Sequence, residues 1–197
     1  MEKIILASNN KLKIKEFKEI FKNYEIIPMS EIGFNEEIVE DGNTFEENSK
    51  IKTVALQKFL KSKNLNYSVI ADDSGLFVDA LNGEPGVYSA RYAQEHNDQA
   101  NRNKLLKNLV NKKNRNAKFV CVITLLKPNG TTVVGKGEVC GKILKQETGN
   151  TAFGYDCLFY SNELNKCFGE CSDEEKNSVS HRGRAIKDLL NKLNFDI

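Results

Sequence analysis

Two adjacent aspartates, Asp72 and Asp73, interrupt an apolar run that extends from Val69 to Leu81. Carboxylate oxygens are ligands that Mg²⁺ prefers, and a carboxylate can also take a proton from water. Neighbouring side chains of a strand point to opposite faces, so the pair can share a site only where the backbone turns. Ser74 and Gly75 follow directly and predict such a turn at the end of a buried strand. The pair alone fits a solvated Asp-Ser-Gly turn equally well.

Two further polar segments have residue types that suit a phosphate or a metal ion. The stretch from Ser8 to Lys13 follows the first predicted strand, where backbone amides and a lysine suit an anion. Glu40 precedes a glycine-containing turn, and Asn48 and Lys52 then share one face of a predicted helix. A plain helix start and a solvated amphipathic helix explain the same patterns, so both alternatives stay open.

Two segments near the C-terminus add aromatic and cationic groups. FGYD, from Phe153 to Asp156, combines an aromatic ring and a carboxylate, and its alternative is a tight turn with core aromatics. SHRGR places His181, Arg182 and Arg184 in the first turn of a helix, where the helix dipole disfavours cations. Cations at that position indicate a nearby anion, although a solvated surface turn fits as well.

Taken together, these residue types predict a magnesium-dependent reaction on a nucleotide. Carboxylates for the metal are available at Glu40, Asp72 and Asp73, cations for phosphate at Lys13, Lys52, Lys176 and Arg182, and a stacking ring at Phe153. The sequence has no glycine-lysine phosphate loop, no dinucleotide fingerprint and no nucleophile elbow, which excludes the common NTPase, dinucleotide and serine-hydrolase classes. Hydrolysis of a phosphate ester or anhydride is the chemistry that remains.

Alternating strands and helices must position these residues. Strands are predicted at 3–8, 24–28 and 67–71, and a hairpin is predicted with Pro128-Asn129-Gly130 at its turn. Helices are predicted at 11–22, from Phe45 to about Leu60, at 97–113 and after Ser180. Thr44 and Glu47 form a capping-box pattern. In the basic helix, Leu105, Leu106, Leu109 and Val110 are expected to point inward, and the stretch from Arg102 to Arg115 to form a solvated face. This order favours an α/β architecture with a mixed sheet.

Composition limits the class of protein without identifying a partner. The chain has 197 residues, with 29 Lys and Arg against 27 Asp and Glu, which suits one domain and indicates no polyanionic partner. The N-terminal apolar run is too short for a signal peptide and no segment suits a membrane span, so we expect a cytoplasmic protein. The five cysteines are expected to be reduced thiols, and with two histidines they do not form a zinc pattern.

The order of the motifs resembles the inosine triphosphate pyrophosphatase family. The matching segments are ILASNNKLKIKEF, EDGNTFEENSKIKT, ADDSGLFVDALNGEPGVYSARYA, GEVCGKI, FGYDCLF and EEKNSVSHRGRA, and they run nearly end to end. The resemblance implies a single pyrophosphatase domain over residues 1–197, with an elongated mixed β-sheet flanked by helices and two lobes around a central substrate cleft. It also implies a homodimer, Mg²⁺ as cofactor, and hydrolysis of ITP, dITP and XTP to the monophosphate and pyrophosphate by attack of water at the α-phosphorus.

The resemblance also implies residue roles. Asp73 and Asp72 would act on the attacking water, Glu40 and Asp73 would hold the metal, and the substrate would be bound by Ser8, Asn9, Asn10, Lys11, Leu12, Lys13, Lys52, Ser74, Phe153, Gly154, Tyr155, Asp156, Lys176, His181 and Arg182. One departure is visible, because family members often have two glycines in the first loop where this chain has none between Ser8 and Lys13. Without them the backbone approaches phosphates less closely.

Three other functions are weighed against this one. A nucleotide sensor would keep the pocket but has no need of the carboxylates, and a pyrophosphatase of modified pyrimidine triphosphates would differ in base preference. Binding of nucleic acid through the basic helix is disfavoured because that stretch lacks interleaved aromatic residues. We therefore expect a purine nucleoside triphosphate as partner, and neither nucleic acid nor a membrane.

Overall fold

The computed structural model describes residues 1–95, 97–150 and 153–194. Its strands are β1 Glu2–Leu6, β2 Tyr24–Pro28, β3 Ser68–Val78, β4 Asn116–Leu126, β5 Thr132–Ile143, β6 Phe159–Ser161 and β7 Lys166–Cys167. Its α-helices are α1 Lys11–Ile20, α2 Phe45–Ser62, α3 Asp98–Asn108, α4 Asp173–Val179 and α5 His181–Asn194. None of the helices in these ranges has the length and apolar character needed to cross a membrane.

The strands form one mixed sheet in the order β2-β1-β3-β4-β5-β6-β7. β1 pairs in parallel with both β2 and β3, whereas β6 pairs antiparallel with β5 and β7. The β4–β5 hairpin closes through the amide of Lys127, which donates to the carbonyl of Thr131. The predicted α/β class, with a mixed sheet flanked by helices, is confirmed. Strands β6 and β7 and helix α4 were not predicted, because each is too short to show a periodic pattern.

Alternation along β1 distributes its side chains between two apolar clusters. Ile4 packs in one cluster with Phe17 of α1, and Ile5 packs in the other with Leu56 of α2. The side-chain period of two places these neighbours on opposite faces of the strand, so α1 and α2 cover different faces. Full burial of such a side chain is worth about 1.5–3 kcal/mol, which fixes the register of β1 between the two helices.

Strand β3 continues this alternation and overturns one expectation. Ile70 belongs to the cluster that contains α1, and Val69 and Ala71 belong to the cluster that contains α2. The strand then runs without interruption to Val78, so the predicted turn at Ser74 and Gly75 is wrong. Local turn propensity is a weak preference here, and pairing within a large sheet overrides it. The pairing with β1 ends at Ile70, so the aspartates lie beyond the parallel-paired part of β3.

The basic helix is shorter than predicted and less exposed in its arginines. α3 ends at Asn108, and Val110, expected to point inward, is 63% exposed. Arg102 is buried and pairs with Glu147, and Arg115 donates to the carbonyls of Ile143 and Leu144. The prediction of a solvated face over this stretch is therefore wrong at both arginines, because their guanidinium donors are used within the protein.

The described residues divide into two compact units. Unit 1 consists of Met1–Asp73, Cys121–Lys136 and the chain from Ala185 onward, and it contains the two clusters around α1 and α2. Unit 2 consists of Ser74–Val120 and Gly137–Arg184. Its core combines aliphatic residues with an aromatic group, in which Phe119 has its ring centroid 4.7 Å from Phe159 and stacks on His181 at 4.7 Å.

Helix α2 begins with the predicted capping box. The Thr44 hydroxyl accepts a hydrogen bond from the amide of Glu47 at 3.1 Å, and the Glu47 carboxylate accepts one from the amide of Thr44 at 3.2 Å. Two amides at the helix start are thereby satisfied.

We expect Thr44→Ala to lower the free energy of unfolding by about 1 kcal/mol, since it removes the acceptor for the Glu47 amide. Thr44→Ser keeps the hydroxyl and should lie within a few tenths of a kcal/mol, on the order of the difference between Thr and Ser as N-caps. Urea unfolding should show a shifted midpoint with an unchanged slope. Equal losses in both variants would show that the cap does not stabilise α2.

Candidate active site

The two aspartates of β3 contact different helices. The carboxylate of Asp72, on the face shared with Ile70, accepts a hydrogen bond from Lys13 Nζ of α1 at 3.1 Å. The carboxylate of Asp73 accepts one from Asn48 Nδ2 of α2 at 2.9 Å. A continuous strand thus presents one carboxylate to each helix, which is the separation that strand geometry requires.

A buried lysine joins these carboxylates to the acidic loop before α2. Lys52 is 7% exposed, and its Nζ lies 2.8 Å from the carboxylate of Glu40. Burial alone lowers the pKa of Lys52, but the negative charges of Glu40, Asp73 and Asp72 more than offset it, so the pKa lies above its usual value. Lys52 is therefore held as an ammonium ion within a group of carboxylates.

Asp73 carries a negative charge that its surroundings disfavour. Burial raises its pKa above the ordinary value of 3.8, and the nearby charge of Glu40 raises it further. Lys52, the hydrogen bond from Asn48 and the charge of Lys13 act in the opposite direction but do not cancel the rise. We call the five charged residues Lys13, Glu40, Lys52, Asp72 and Asp73 the acidic cluster.

The acidic cluster has the oxygen ligands and the charge that a magnesium ion requires. Its three carboxylates outnumber its two ammonium groups, and the pKa of Asp73 is raised chiefly by burial. Within the part of the chain that the structure describes, no three Asp, Glu, His or Cys side chains form a closed metal site. Mg²⁺ commonly takes one or two carboxylates and completes its shell with water and substrate phosphates. Glu40 and Asp73 fit such a pair.

The side chains of the first loop form hydrogen bonds with nearby backbone amides. Asn10 caps α1, and its side-chain oxygen accepts from the amides of Leu12 and Lys13 at 3.0 and 3.1 Å. The amide of Asn10 donates to the hydroxyl of Ser8, and the side chain of Asn9 accepts from the amide of Ser30. These amides are satisfied within the protein, so Lys13 is the loop residue that the structure connects to the acidic cluster. Lys11 and Leu12 are exposed.

The remaining predicted residues belong to unit 2. Arg182 is buried, and its guanidinium donates to the hydroxyl of Ser74 at 3.3 Å. Ser180 caps α5, as predicted, by accepting from the amide of Gly183 at 3.0 Å. His181 is buried on the ring of Phe119. The cations predicted for the first turn of α5 are therefore largely packed inside unit 2.

The FGYD segment also directs most of its polar groups inward. Tyr155 is buried, and its hydroxyl donates to the carbonyl of Ser89 at 2.8 Å. Asp156 and Lys176 form a buried ion pair at 2.7 Å. The ammonium of Lys176 also lies 5.4 Å from the centroid of the Phe153 ring, within the range of a cation–π interaction. Phe153 and Gly154 are the members of the segment that remain half-buried.

Sequence patterns missed three contributors to these sites. Asn48 was placed on the same helix face as Lys52 but was given no role, and it binds Asp73. Asp98 and Arg102 of α3 contact Gly154 of the FGYD segment. No local pattern indicates those contacts, because Asp98 and Gly154 are far apart in the chain. Helix α4, which carries Lys176, does have a signal: Ser172 and Glu175 form a capping box.

The fold and the acidic cluster define an α/β protein with a mixed sheet and a carboxylate–lysine site beside its third strand. Residues 4–192 match the Ham1 family. The chain belongs to that family, so the resemblance that the motifs indicate is confirmed.

Several relatives are similar to this chain over nearly its whole length. A dITP/XTP pyrophosphatase from Clostridium perfringens is 50% identical over 199 residues, covering 98% of both chains. A protein of the same name from Staphylococcus aureus is 49% identical over 197 residues, covering all of this chain and 98% of the relative.

Solved structures agree with the fold. The Staphylococcus aureus Ham1 protein superposes with a TM-score of 0.85 at 47% identity, covering both chains completely. A HAM1 protein from Coxiella burnetii gives a TM-score of 0.84 at 36% identity, covering 98% of this chain and 99% of that one.

We expect Asp73→Asn to stabilise the metal-free protein. A carboxyl group whose folded pKa is raised contributes stability below its unfolded pKa, and this contribution is lost as pH rises through the folded pKa. The amide variant avoids that loss, so its advantage should be absent near pH 3.8, the ordinary pKa of the group, and should grow as pH rises. Urea unfolding in EDTA at several pH values measures the difference.

Asp79→Asn is the matched control, since Asp79 follows the same strand and is exposed. It should leave stability nearly unchanged at every pH. A destabilised Asp73→Asn protein at neutral pH would contradict the charge balance described for the acidic cluster.

Proposed function

We propose that this protein hydrolyses non-canonical purine nucleoside triphosphates, namely ITP, dITP and XTP, to the monophosphate and pyrophosphate. The observation that carries the proposal is the acidic cluster, in which Lys52 is buried among carboxylates at 2.8 Å from Glu40. Relatives of about half-identical sequence over nearly the whole chain are named dITP/XTP pyrophosphatases, which supports this substrate class.

Two lysines are proposed to bind the phosphates. Lys13 is the more accessible of the two, with 20% of its side chain exposed, and Lys52 is buried. Both ammonium groups are held by carboxylates, so their positions are fixed before substrate arrives. Preorganised charges of this kind stabilise the negative charge that grows on phosphate oxygens without having to reorient during the reaction.

Glu40 and Asp73 are proposed to hold Mg²⁺, as the fit of the acidic cluster supports. When bound, Mg²⁺ would neutralise charge on the phosphate oxygens in the transition state. Asp73 is also proposed to orient and deprotonate the attacking water at the α-phosphorus. Its hydrogen bond from Asn48 fixes one carboxylate oxygen, which leaves the orientation of the other defined. Asp72, held by Lys13, would support this charge arrangement from the other face of β3.

Unit 2 is proposed to bind the base. Phe153 would stack on it, with the Lys176 ammonium near the ring and Asp156 holding Lys176. Ser74, Gly154, Tyr155, His181 and Arg182 are proposed to complete the substrate contacts or to hold them in place. Donors placed for the 6-keto group of hypoxanthine or xanthine would be left unpaired by adenine, at about 1–3 kcal/mol each. A few such donors select against ATP by hundreds-fold or more.

We also propose the domain extent, the oligomeric state and the cellular location. Residues 1–197 would act as one pyrophosphatase domain, because β3, β4 and β5 each contribute residues to both units. A homodimer and a cytoplasmic location fit the family resemblance and a substrate drawn from the nucleotide pool. All five cysteines are free thiols, which agrees with a reducing compartment.

The deciding experiment is release of pyrophosphate from ITP, XTP, ATP, GTP and dTTP, each with Mg²⁺ and with EDTA. We expect ITP and XTP to turn over far faster than the others, and only with the metal. Asp73→Asn is the control enzyme and should reduce turnover by about 10² or more, because it removes the group that takes the proton.

Other outcomes favour the rival functions. Binding of nucleotide without turnover would support a sensor, and preference for dTTP would support a pyrimidine enzyme. Near-normal activity of the Asp73→Asn protein would remove that residue from the chemistry.

Phe153→Ala tests the stacking role of the ring. We expect it to raise KM for ITP about 10-fold and to change kcat little, since stacking on an aromatic ring contributes about 1–3 kcal/mol per base. Phe153→Tyr keeps the ring and is the matched control. An unchanged KM in the alanine variant would contradict stacking on Phe153.

A further inference from the structure

Gly154 has the greatest backbone freedom of the four residues in the FGYD segment. Its φ is +55°, in the left-handed region, and a Cβ placed there would meet no atom within 4 Å. Glycine is the residue that loses most freedom when its backbone is fixed. Tyr155 on one side is anchored through its hydroxyl. The half-buried Phe153 on the other side is held by one backbone hydrogen bond, because its carbonyl accepts from the amide of Asp156 at 3.0 Å, and the two torsions of Gly154 set its direction relative to Tyr155.

Two side chains from the first turns of α3 fix both of these torsions. The carboxylate of Asp98 accepts a hydrogen bond from the amide of Gly154 at 2.8 Å. The guanidinium of Arg102 donates to the carbonyl of Gly154 at 2.9 Å. That amide belongs to the peptide that joins Phe153 to Gly154, and that carbonyl belongs to the next peptide. Both peptide planes that flank the glycine are therefore held.

Arg102 is itself rigidly supported. It is 3% exposed, its Nε donates to Glu147 at 2.9 Å, and its Nη2 donates to Gln99 at 2.8 Å. Gln99 also donates to Glu147 at 2.8 Å, which closes the network. Asp98 is held by the start of α3, where Asn97 caps the helix by accepting from the amide of Ala100. A buried arginine is costly unless its donors are satisfied, and one of its acceptors here is a single glycine carbonyl in a turn.

We propose that Asp98 and Arg102 are positioning residues that hold the Gly154 peptides and thereby set the place and orientation of the Phe153 ring for the base. This rests on the proposed function of Phe153. The two residues act through Gly154 and touch no reacting group. They therefore affect binding of the base and leave the chemistry at the acidic cluster unchanged.

The kinetic test separates base binding from phosphate binding. In Asp98→Ala and Arg102→Met we expect KM for ITP to rise about 5- to 10-fold, with kcat within about 2-fold, since each variant loses one hydrogen bond to Gly154. Inorganic tripolyphosphate lacks a base, so its inhibition constant against ITP hydrolysis should stay the same. Asp98→Asn keeps an oxygen that accepts from the Gly154 amide and should restore KM to within about 2-fold.

Lys107→Met is the matched control, because Lys107 is exposed on the same helix and touches neither residue. It should behave like the unaltered protein. A fall in kcat with unchanged KM, an equal change in the tripolyphosphate constant, or failure of Asp98→Asn to restore KM would overturn the proposal. If Arg102→Met does not fold, the comparison of Asp98→Ala with Asp98→Asn decides, since Asp98 is exposed.

A second measurement does not depend on turnover. Amide exchange of Gly154 by NMR should be slow in the unaltered protein and in Asp98→Asn, and at least about 10-fold faster in Asp98→Ala, because the amide then lacks its acceptor. If the unaltered protein hydrolyses none of the triphosphates, the proposed function fails, while the exchange rates still test whether Asp98 holds the Gly154 amide. Equal exchange in all three proteins would show that Asp98 does not hold this amide.

Discussion

The burial of Lys52 among carboxylates is the constraint on which the site depends. An isolated ammonium ion is unfavourable away from water, and Lys52 is stable there as a charged group because Glu40, Asp73 and Asp72 surround it. Asp73 is half-buried, and its charge is in turn supported by Lys52 and Asn48. Lys52 thus needs the carboxylates around it, whereas the charge of Asp73 is offset only in part.

The sheet makes that arrangement possible by separating the two aspartates. A continuous β3 directs Asp72 toward α1 and Asp73 toward α2, so each carboxylate meets its own nitrogen donor, Lys13 or Asn48. A turn at this point would have placed both carboxylates on one side, with stronger repulsion between them. The acidic cluster has three carboxylates and two ammonium groups. This excess of negative charge is unfavourable when no ligand is bound, and it suits a divalent cation and its phosphate ligands.

Unit 2 holds the FGYD segment, in which the Phe153 ring stands next to a glycine. Tyr155 and Asp156 are anchored by Ser89 and Lys176, so the chain beyond Gly154 is fixed by buried contacts. The glycine remains the flexible joint, and α3 restrains it from both peptide planes. If the base stacks on Phe153 as proposed, rigid support of this kind would lower the entropy lost on binding, because the ring would already be ordered.

The sequence by itself determined the family, the α/β class, the capping box of α2 and the residues of the acidic cluster. These rest on local patterns, since Thr44 and Glu47 are three residues apart and the motifs are contiguous. It led to wrong expectations for the turn at Ser74, the inward Val110 and the solvated Arg102, because local propensity is weaker than sheet pairing and tertiary burial. Only the tertiary structure decided which helix each aspartate faces and that α3 holds Gly154. Those contacts join residues some 25 to 59 positions apart, and no short-range pattern encodes which distant groups will meet.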